Sequence, residues 1–218
     1  MISMKRVIRL KHAILVEGHG ENANVLQGTI NVLDDDDIDF WIHWDKKNKE
    51  PILTSKKSKI KFIKQRTNMW GSDSQILVEK QLLEAVSGLN YDYVHLISSS
   101  DIPLMSRDHF KSFFTKEVYI GFYSDPNISD RVKYYYPLRH INLRSEPLII
   151  KKLFLKAIIV SQKLLHVNRL KSSDVVLKKG ISWFSMKGEY VKEILNVDEA
   201  ILMHSVSGDE LYVQTVLR

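Results

Sequence analysis

The segment Tyr91–Ser106, Tyr-Asp-Tyr-Val-His-Leu-Ile-Ser-Ser-Ser-Asp-Ile-Pro-Leu-Met-Ser, constrains the fold most. An alternating and then apolar run ends abruptly in three serines, an aspartate and a proline. A buried strand whose C-terminal end delivers a polar loop reads this way. In open α/β sheets the crevice beyond such strand ends is where ligands bind. Further strands are expected at His12–Glu17, Asp39–Trp44, Lys59–Lys64, Val118–Tyr123 and Ile181–Met186, with Tyr93–Ser98 inside the segment above. Helices are expected at Glu21–Leu33, Ser74–Gly88, Ser106–Phe114, Pro147–Val167, Lys187–Leu195 and Asp209–Leu217. Strands and helices alternate through the first half, which predicts βαβ units and an α/β fold with a mainly parallel central sheet flanked by helices.

The 218 residues, 44% of them hydrophobic, suffice for one domain with a full core. The absence of cysteine excludes disulfides, thiolate catalysis and cysteine-based zinc sites, and it fits a reducing, cytoplasmic location. The apolar run Ala13–Val16 is too short for a signal peptide or a membrane span. The net charge of +6 is unevenly spread: Arg131 to Lys179 holds 12 basic residues against Glu146 and Asp174. Lys46 to Arg66 adds nine basic residues and one acid, Glu50. Such patches suit phosphates on nucleotide sugars, anionic lipids or nucleic acid.

Within the basic region, Pro147–Val167 carries Lys151, Lys152, Lys156 and Lys163 among Leu, Ile and Phe, with Ser145 as expected cap and Glu146 in the first turn. A packed helix with a solvated lysine face and a helix lying on an anionic membrane both fit that pattern. The four acids Asp34–Asp37 precede a strand and are expected to form a solvated turn. His43 and His95 alternate into apolar strands and are expected to be satisfied core histidines.

Six further elements stand in order along the chain: His12–Gly20; Asp39–Lys47 (Asp-Phe-Trp-Ile-His-Trp-Asp-Lys-Lys); Met69–Ser74 (Met-Trp-Gly-Ser-Asp-Ser); Ser98–Pro103; Lys179–Val191; and Ser207–Thr215 (Ser-Gly-Asp-Glu-Leu-Tyr-Val-Gln-Thr). Together they resemble the core-2/I-branching β-1,6-N-acetylglucosaminyltransferase family, glycosyltransferase family 14, in a bacterial form. The resemblance spans nearly the whole chain. It implies a single GT-A-like nucleotide-diphospho-sugar transferase domain, with a donor-binding half over about 1–115 and an acceptor-side half over about 116–218.

The resemblance also implies roles. Glu210 corresponds to the family's catalytic base, the group an inverting displacement needs to take the acceptor hydroxyl's proton. An acid in the first turn of a helix is otherwise a common stabiliser of the helix dipole. Val16, Asp45, Trp70 and Asp101 fall on the donor side, with Asp45 holding the nucleoside. Arg131 and Lys133, with Trp183, fall on the acceptor side, where Tyr134–Tyr136 could also stack on sugar faces. Metal-using enzymes of this broad fold carry Asp-x-Asp at the end of a central strand to hold a divalent ion. Here that position reads Ser99-Ser100-Asp101, so no metal and no cofactor are expected, and a UDP-sugar serves as donor substrate. The family's diphosphate-contacting Arg and Lys lie beyond its Asp-Glu helix, whereas this chain ends at Arg218, so a further C-terminal segment or other cations are expected.

The expected partners are a UDP-sugar, a glycan or lipid-linked saccharide acceptor and a peripheral membrane contact on the inner face, without nucleic acid. The competing readings are a sugar-binding inactive relative and a basic nucleic-acid-binding module. The second lacks a recognisable docking motif among its basic residues.

Overall fold

The computed structural model describes residues 9–217 except 142–144 and 146. Glu146 and Arg218 therefore lie outside the described residues. Six strands form one sheet in the order β3-β2-β1-β4-β6-β5. β1 (His12–Gly18) pairs in parallel with β2 (Ile38–Trp44) and with β4 (Tyr93–Ser98), and β3 (Ile60–Phe62) extends the parallel half at the edge. β6 (Phe184–Lys187) runs antiparallel to β4 and to β5 (Val118–Ile120). The sheet is thus mostly parallel but mixed, an architecture consistent with the GT-A-like fold.

The apolar runs of β1 and β2 are continuous because both faces of the sheet are covered. With period two, Ala13 and Leu15 turn to one face and Ile14 and Val16 to the other. On the second face the sheet meets Leu26 and Ile30 of α1 (Asn24–Leu33). On the first face it meets Leu82, Leu83 and Val86 of α2 (Ser74–Val86). α3 (Arg107–Phe113) and the short α4 (Asp130–Lys133) follow; then come α5 (Leu148–Leu164), α6 (Tyr190–Leu195) and α7 (Tyr212–Val216). α6 and α7 add Val191, Ile194, Tyr212 and Val213 to the first face.

Several boundaries differ from the sequence expectation for local reasons. α1 starts at Asn24, not Glu21, because the Asn22 side chain accepts the Asn24 N–H at 2.8 Å and closes a turn before it. The strand expected at Ile181–Met186 is shifted to Phe184–Lys187, with Leu96 facing Phe184, and residues 181–183 are released to a loop. α6 begins after it, at Tyr190. α4 was not anticipated; four residues give no periodicity to read.

The start of α5 departs as well. Pro147 is its N-cap with no side-chain cap bond, and Ser145 instead receives the Lys151 ammonium at 2.6 Å. Nor are Asp34–Asp37 a solvated turn. The Asp34 carboxylate accepts the Ser55 hydroxyl and the backbone N–H groups of Lys56, Lys57 and Ser58. Lys111 bridges Asp35 and Asp37 at 2.8 and 2.6 Å. Despite the opposing cost of partial burial, the bonds from Ser58, Ser55, Lys56 and Lys57 hold Asp34 well below the usual carboxylate range. These acids staple the β2–β3 connection to α3.

Candidate active site

The C-terminal ends of β1, β2 and β4 open on one cleft of about 710 Å³, within the range of ligand sites. Gly18 ends β1 and His19 and Gly20 follow it, Asp45 follows β2, and Ser98 ends β4 with Ser100 just beyond. The opposite wall comes from Ile181–Trp183 and from Asp209 and Glu210. Because β6 is antiparallel, its N-terminal end lies where the parallel strands finish, so the loop carrying Trp183 reaches the same cleft.

Asp45 Oδ1 accepts the N–H groups of Lys47 (3.1 Å) and Asn68 (3.3 Å), and its Oδ2 pairs with Lys47 Nζ at 3.0 Å. Lys47 also donates to the Asn68 carbonyl at 2.6 Å and itself lines the cleft. Trp70, half exposed, stands beside this group just before α2.

Glu210 lies in a 3-10 turn, Gly208–Glu210, immediately ahead of α7. Ser207 enters that turn in the left-handed region at φ 49°, and a Cβ on Gly208 would meet Ile76 Cδ1 and Ser205 Oγ at 2.5 Å. The turn is therefore pressed onto α2 and leaves no room for a side chain. Gly180 donates its N–H to the Glu210 carbonyl at 3.0 Å. The carboxylate accepts Arg131 Nη1 at 3.0 Å and lies 3.4 Å from Lys179 Nζ. Both cations also hold Asp125, at 3.1 and 3.4 Å. Two acids and two bases thus form a closed square at the mouth of the cleft, with a third of the Glu210 side chain still open to solvent.

Three further acids cluster here: Glu17 and Asp209 in the cleft lining and Glu79 buried on α2. Burial, with the Asp209 charge adding to it, pushes Glu17 up to about 8. Burial, partly offset by the Ser182 hydroxyl and reinforced by Glu210, lifts Asp209 to about 6. Glu79 is fully buried, both its oxygens lack hydrogen-bond partners among the described residues, and burial raises it well above the ordinary value. Asp209 Oδ2 accepts Ser182 Oγ at 2.7 Å and Gln75 Nε2 at 3.1 Å, tying the cleft loop to α2.

The acids and the core histidines oppose one another in the pH dependence of stability. Burial lowers His12 and His43 to about 4, and it pushes His95 well below its ordinary value. Between about pH 4 and 6.5 the unfolded chain protonates these histidines and the fold does not, so stability rises with pH. Over the same range the raised acids bind protons in the fold that the unfolded chain has lost, so the two trends offset. Above pH 7 Glu17, raised to about 8, still holds in the fold a proton that the unfolded chain has lost, and stability falls at up to ~1.4 kcal/mol per pH unit. Thermal denaturation of the full chain should show a plateau near pH 5–6.5 and a loss of about 3–5 °C between pH 7 and 9. Glu17→Gln should remove most of that loss; a flat profile above pH 7 in the unaltered chain would contradict the assignment.

Five of the anticipated site residues gather here: Asp45, Trp70, Trp183 and Glu210 line the cleft, and Arg131 grips Glu210. Three do not. Val16 is fully buried against Leu26 and Ile30 because period two turns it away from the cleft. Asp101 folds back onto its own loop, its Oδ2 accepting the Ser98 N–H at 2.7 Å and its carbonyl the Thr29 hydroxyl at 2.7 Å. Lys133 lies over the Tyr134 ring at 5.6 Å. The tyrosines are also otherwise engaged: Tyr134 is buried, Arg169 covers Tyr135 at 4.7 Å, and Tyr136 donates to the Asp130 carbonyl at 2.8 Å. His95 is bonded at both nitrogens, to Ser185 and His12, whereas His43 Nδ1 has no partner among the described residues.

Sequence reasoning missed Lys47, Asp125, Lys179, Asp209, Glu17 and Glu79. Only Glu17 carried a local signal, an acid closing an apolar strand before Gly18-His19-Gly20.

Strand-end loops thus surround a polar cleft with a carboxylate held at its mouth. The family model described as Branch, the Core-2/I-Branching enzyme, matches residues 14–218. The chain belongs to this family of glycosyltransferases. Comparison with curated proteins returned no match.

Proposed function

We propose that the chain is an inverting glycosyltransferase moving N-acetylglucosamine from UDP-N-acetylglucosamine to a saccharide hydroxyl, forming a β-1,6-type branch without a metal ion. The carrying observation is Glu210, a reachable carboxylate positioned at the cleft mouth by Arg131, Lys179 and the Gly180 N–H. Glu210 takes the acceptor hydroxyl's proton while that oxygen attacks the anomeric carbon and UDP departs in a single displacement. Asp45 and the Asn68 backbone bind the nucleoside end, and Trp70 and Trp183 bound the sugar on either side. Lys47 supplies positive charge for the departing diphosphate. The reading without metal is supported by the polar set itself: Asp101 spends its carboxylate on Ser98, and Asp45 is paired with Lys47. A glycan or lipid-linked acceptor and a cytoplasmic site of action at the inner face of a membrane complete the reading.

UDP release from UDP-N-acetylglucosamine with pooled saccharide acceptors, in excess chelator, tests the donor and the metal together. Release should persist under chelation and exceed that from UDP-glucose and UDP-galactose by about tenfold or more, the scale one polar substituent commands in a fitted pocket. Release that returns only with added Mn²⁺ would overturn the metal-free reading, and a preference for another sugar would overturn the donor.

A further inference from the structure

α5 is a 17-residue helix of which Gln162 is the buried residue. Ile149, Ile150, Leu153, Phe154 and Leu164 are between 56% and 75% exposed. At about 100° per residue, Ile149, Val160, Leu153 and Leu164 fall within roughly 60° of each other, and Ile150 and Phe154 widen the arc to roughly 140°. Lys152, Lys156 and Lys163 line one border of that arc, and no acid occurs on the helix. Of the two readings the sequence allows, the packed helix with a solvated lysine face leaves out the apolar arc that is exposed beside those lysines. A stripe this long is exposed on a soluble domain only where something covers it.

The charge decides what. The surrounding segment, Arg131 to Lys179, carries 12 basic residues against two acids, so a second copy laid on this face would oppose two strongly basic surfaces. No helix among the described residues is long and apolar enough to cross a membrane. We infer that α5 is an interfacial helix that docks the protein on an anionic lipid surface, its apolar arc entering the headgroup–acyl boundary and its lysine row meeting the lipid charges. The helix is not an independent appendage. Gln162 exchanges hydrogen bonds with the Tyr135 backbone at 2.8 and 2.9 Å, and Lys163 lies 5.8 Å over the Tyr134 ring. Docking therefore fixes the Arg131–Tyr136 segment, and with it the Arg131 contact to Glu210, next to the lipid surface. The inference stands on the helix and does not require the sugar or linkage proposed above.

Flotation of the full chain with vesicles of phosphatidylcholine alone, or with about one third phosphatidylglycerol, tests it. Binding is expected only to the anionic vesicles, weakening with salt. Replacing Lys152 and Lys156 together by alanine should weaken it roughly 30-fold, at about 1 kcal/mol per lysine. Phe154→Asp should abolish it; because both sets are solvent-exposed, unchanged circular dichroism serves as the fold control. Absence of binding to anionic vesicles, equal binding to neutral ones, or a dimer by sedimentation that Phe154→Asp dissociates would each overturn the inference.

Discussion

Glu210→Gln should leave the protein folded and able to bind donor while lowering the transfer rate by about 10²-fold or more, the scale of a lost general base. The substitution is nearly isosteric, and an amide oxygen can still accept from Arg131 Nη1 and face Lys179, so the 3-10 turn keeps its anchors. What disappears is the ability to accept a proton from the attacking hydroxyl. Initial rates of sugar transfer alongside donor-binding titration separate the two: affinity within about threefold of wild type and a collapsed rate place the loss in the chemical step. Arg131→Lys provides the companion measurement, since it keeps the charge but loses the forked reach to both Glu210 and Asp125. It should lower the rate less than the loss of Glu210. Transfer by Glu210→Gln within tenfold of wild type would remove Glu210 from the mechanism.

Gly180→Ala should be among the most damaging small substitutions in the chain. A Cβ there would lie 1.7 Å from the Gly121 carbonyl oxygen, a backbone atom that cannot swing aside, and 3.0 Å from Gln214 Cγ. The two glycines cross where Tyr123 and Lys179 form an antiparallel bridge. Main-chain displacement at this crossing would cost about 3 kcal/mol or more, the upper range for overpacking, and lower the melting temperature by roughly 6–12 °C. It would also move Lys179 and break the Gly180 N–H bond to the Glu210 carbonyl, so activity should fall further than stability alone predicts. The facing substitution is the control. At Gly121 a Cβ would meet only the Ile181 side chain, Cγ1 at 3.4 Å and Cδ1 at 3.7 Å, and Gly121→Ala should cost less than about 1 kcal/mol by calorimetry. Equal effects at the two positions would refute the crossing as the cause.

The parallel half of the sheet was legible because its strands are buried on both faces and so read as unbroken apolar runs. β4 falls at Tyr93–Ser98 as expected, and β1 and β2 each differ by one residue. β6 was misread because Ile181, Trp183 and Phe184 look like one strand, yet its register is set against β4, where His95 meets Ser185 across 90 residues of sequence. Glu210 was identified through a motif resemblance that brings its own context. The square it joins was invisible because Asp125, Arg131 and Lys179 come from three segments with no shared spacing. The raised acids escaped notice for a related reason: an acid in sequence reads as solvated, and only the packing of β1, α2 and the Gly208 turn buries Glu79 and limits the water around Glu17 and Asp209.

The reversed strand has a consequence for how the molecule is made. β1, β2 and β4 come together from the first hundred or so residues, whereas β6 must enter between β4 and β5 after more than eighty further residues have been synthesised. Closing so long a loop is entropically slow, and non-local pairing of this kind governs folding rate more than final stability. During synthesis β4 therefore waits as an open sheet edge, with His95 and Leu96 uncovered, until Phe184–Lys187 arrives. That interval, rather than any weakness of the finished core, is when the chain is most exposed to aggregation.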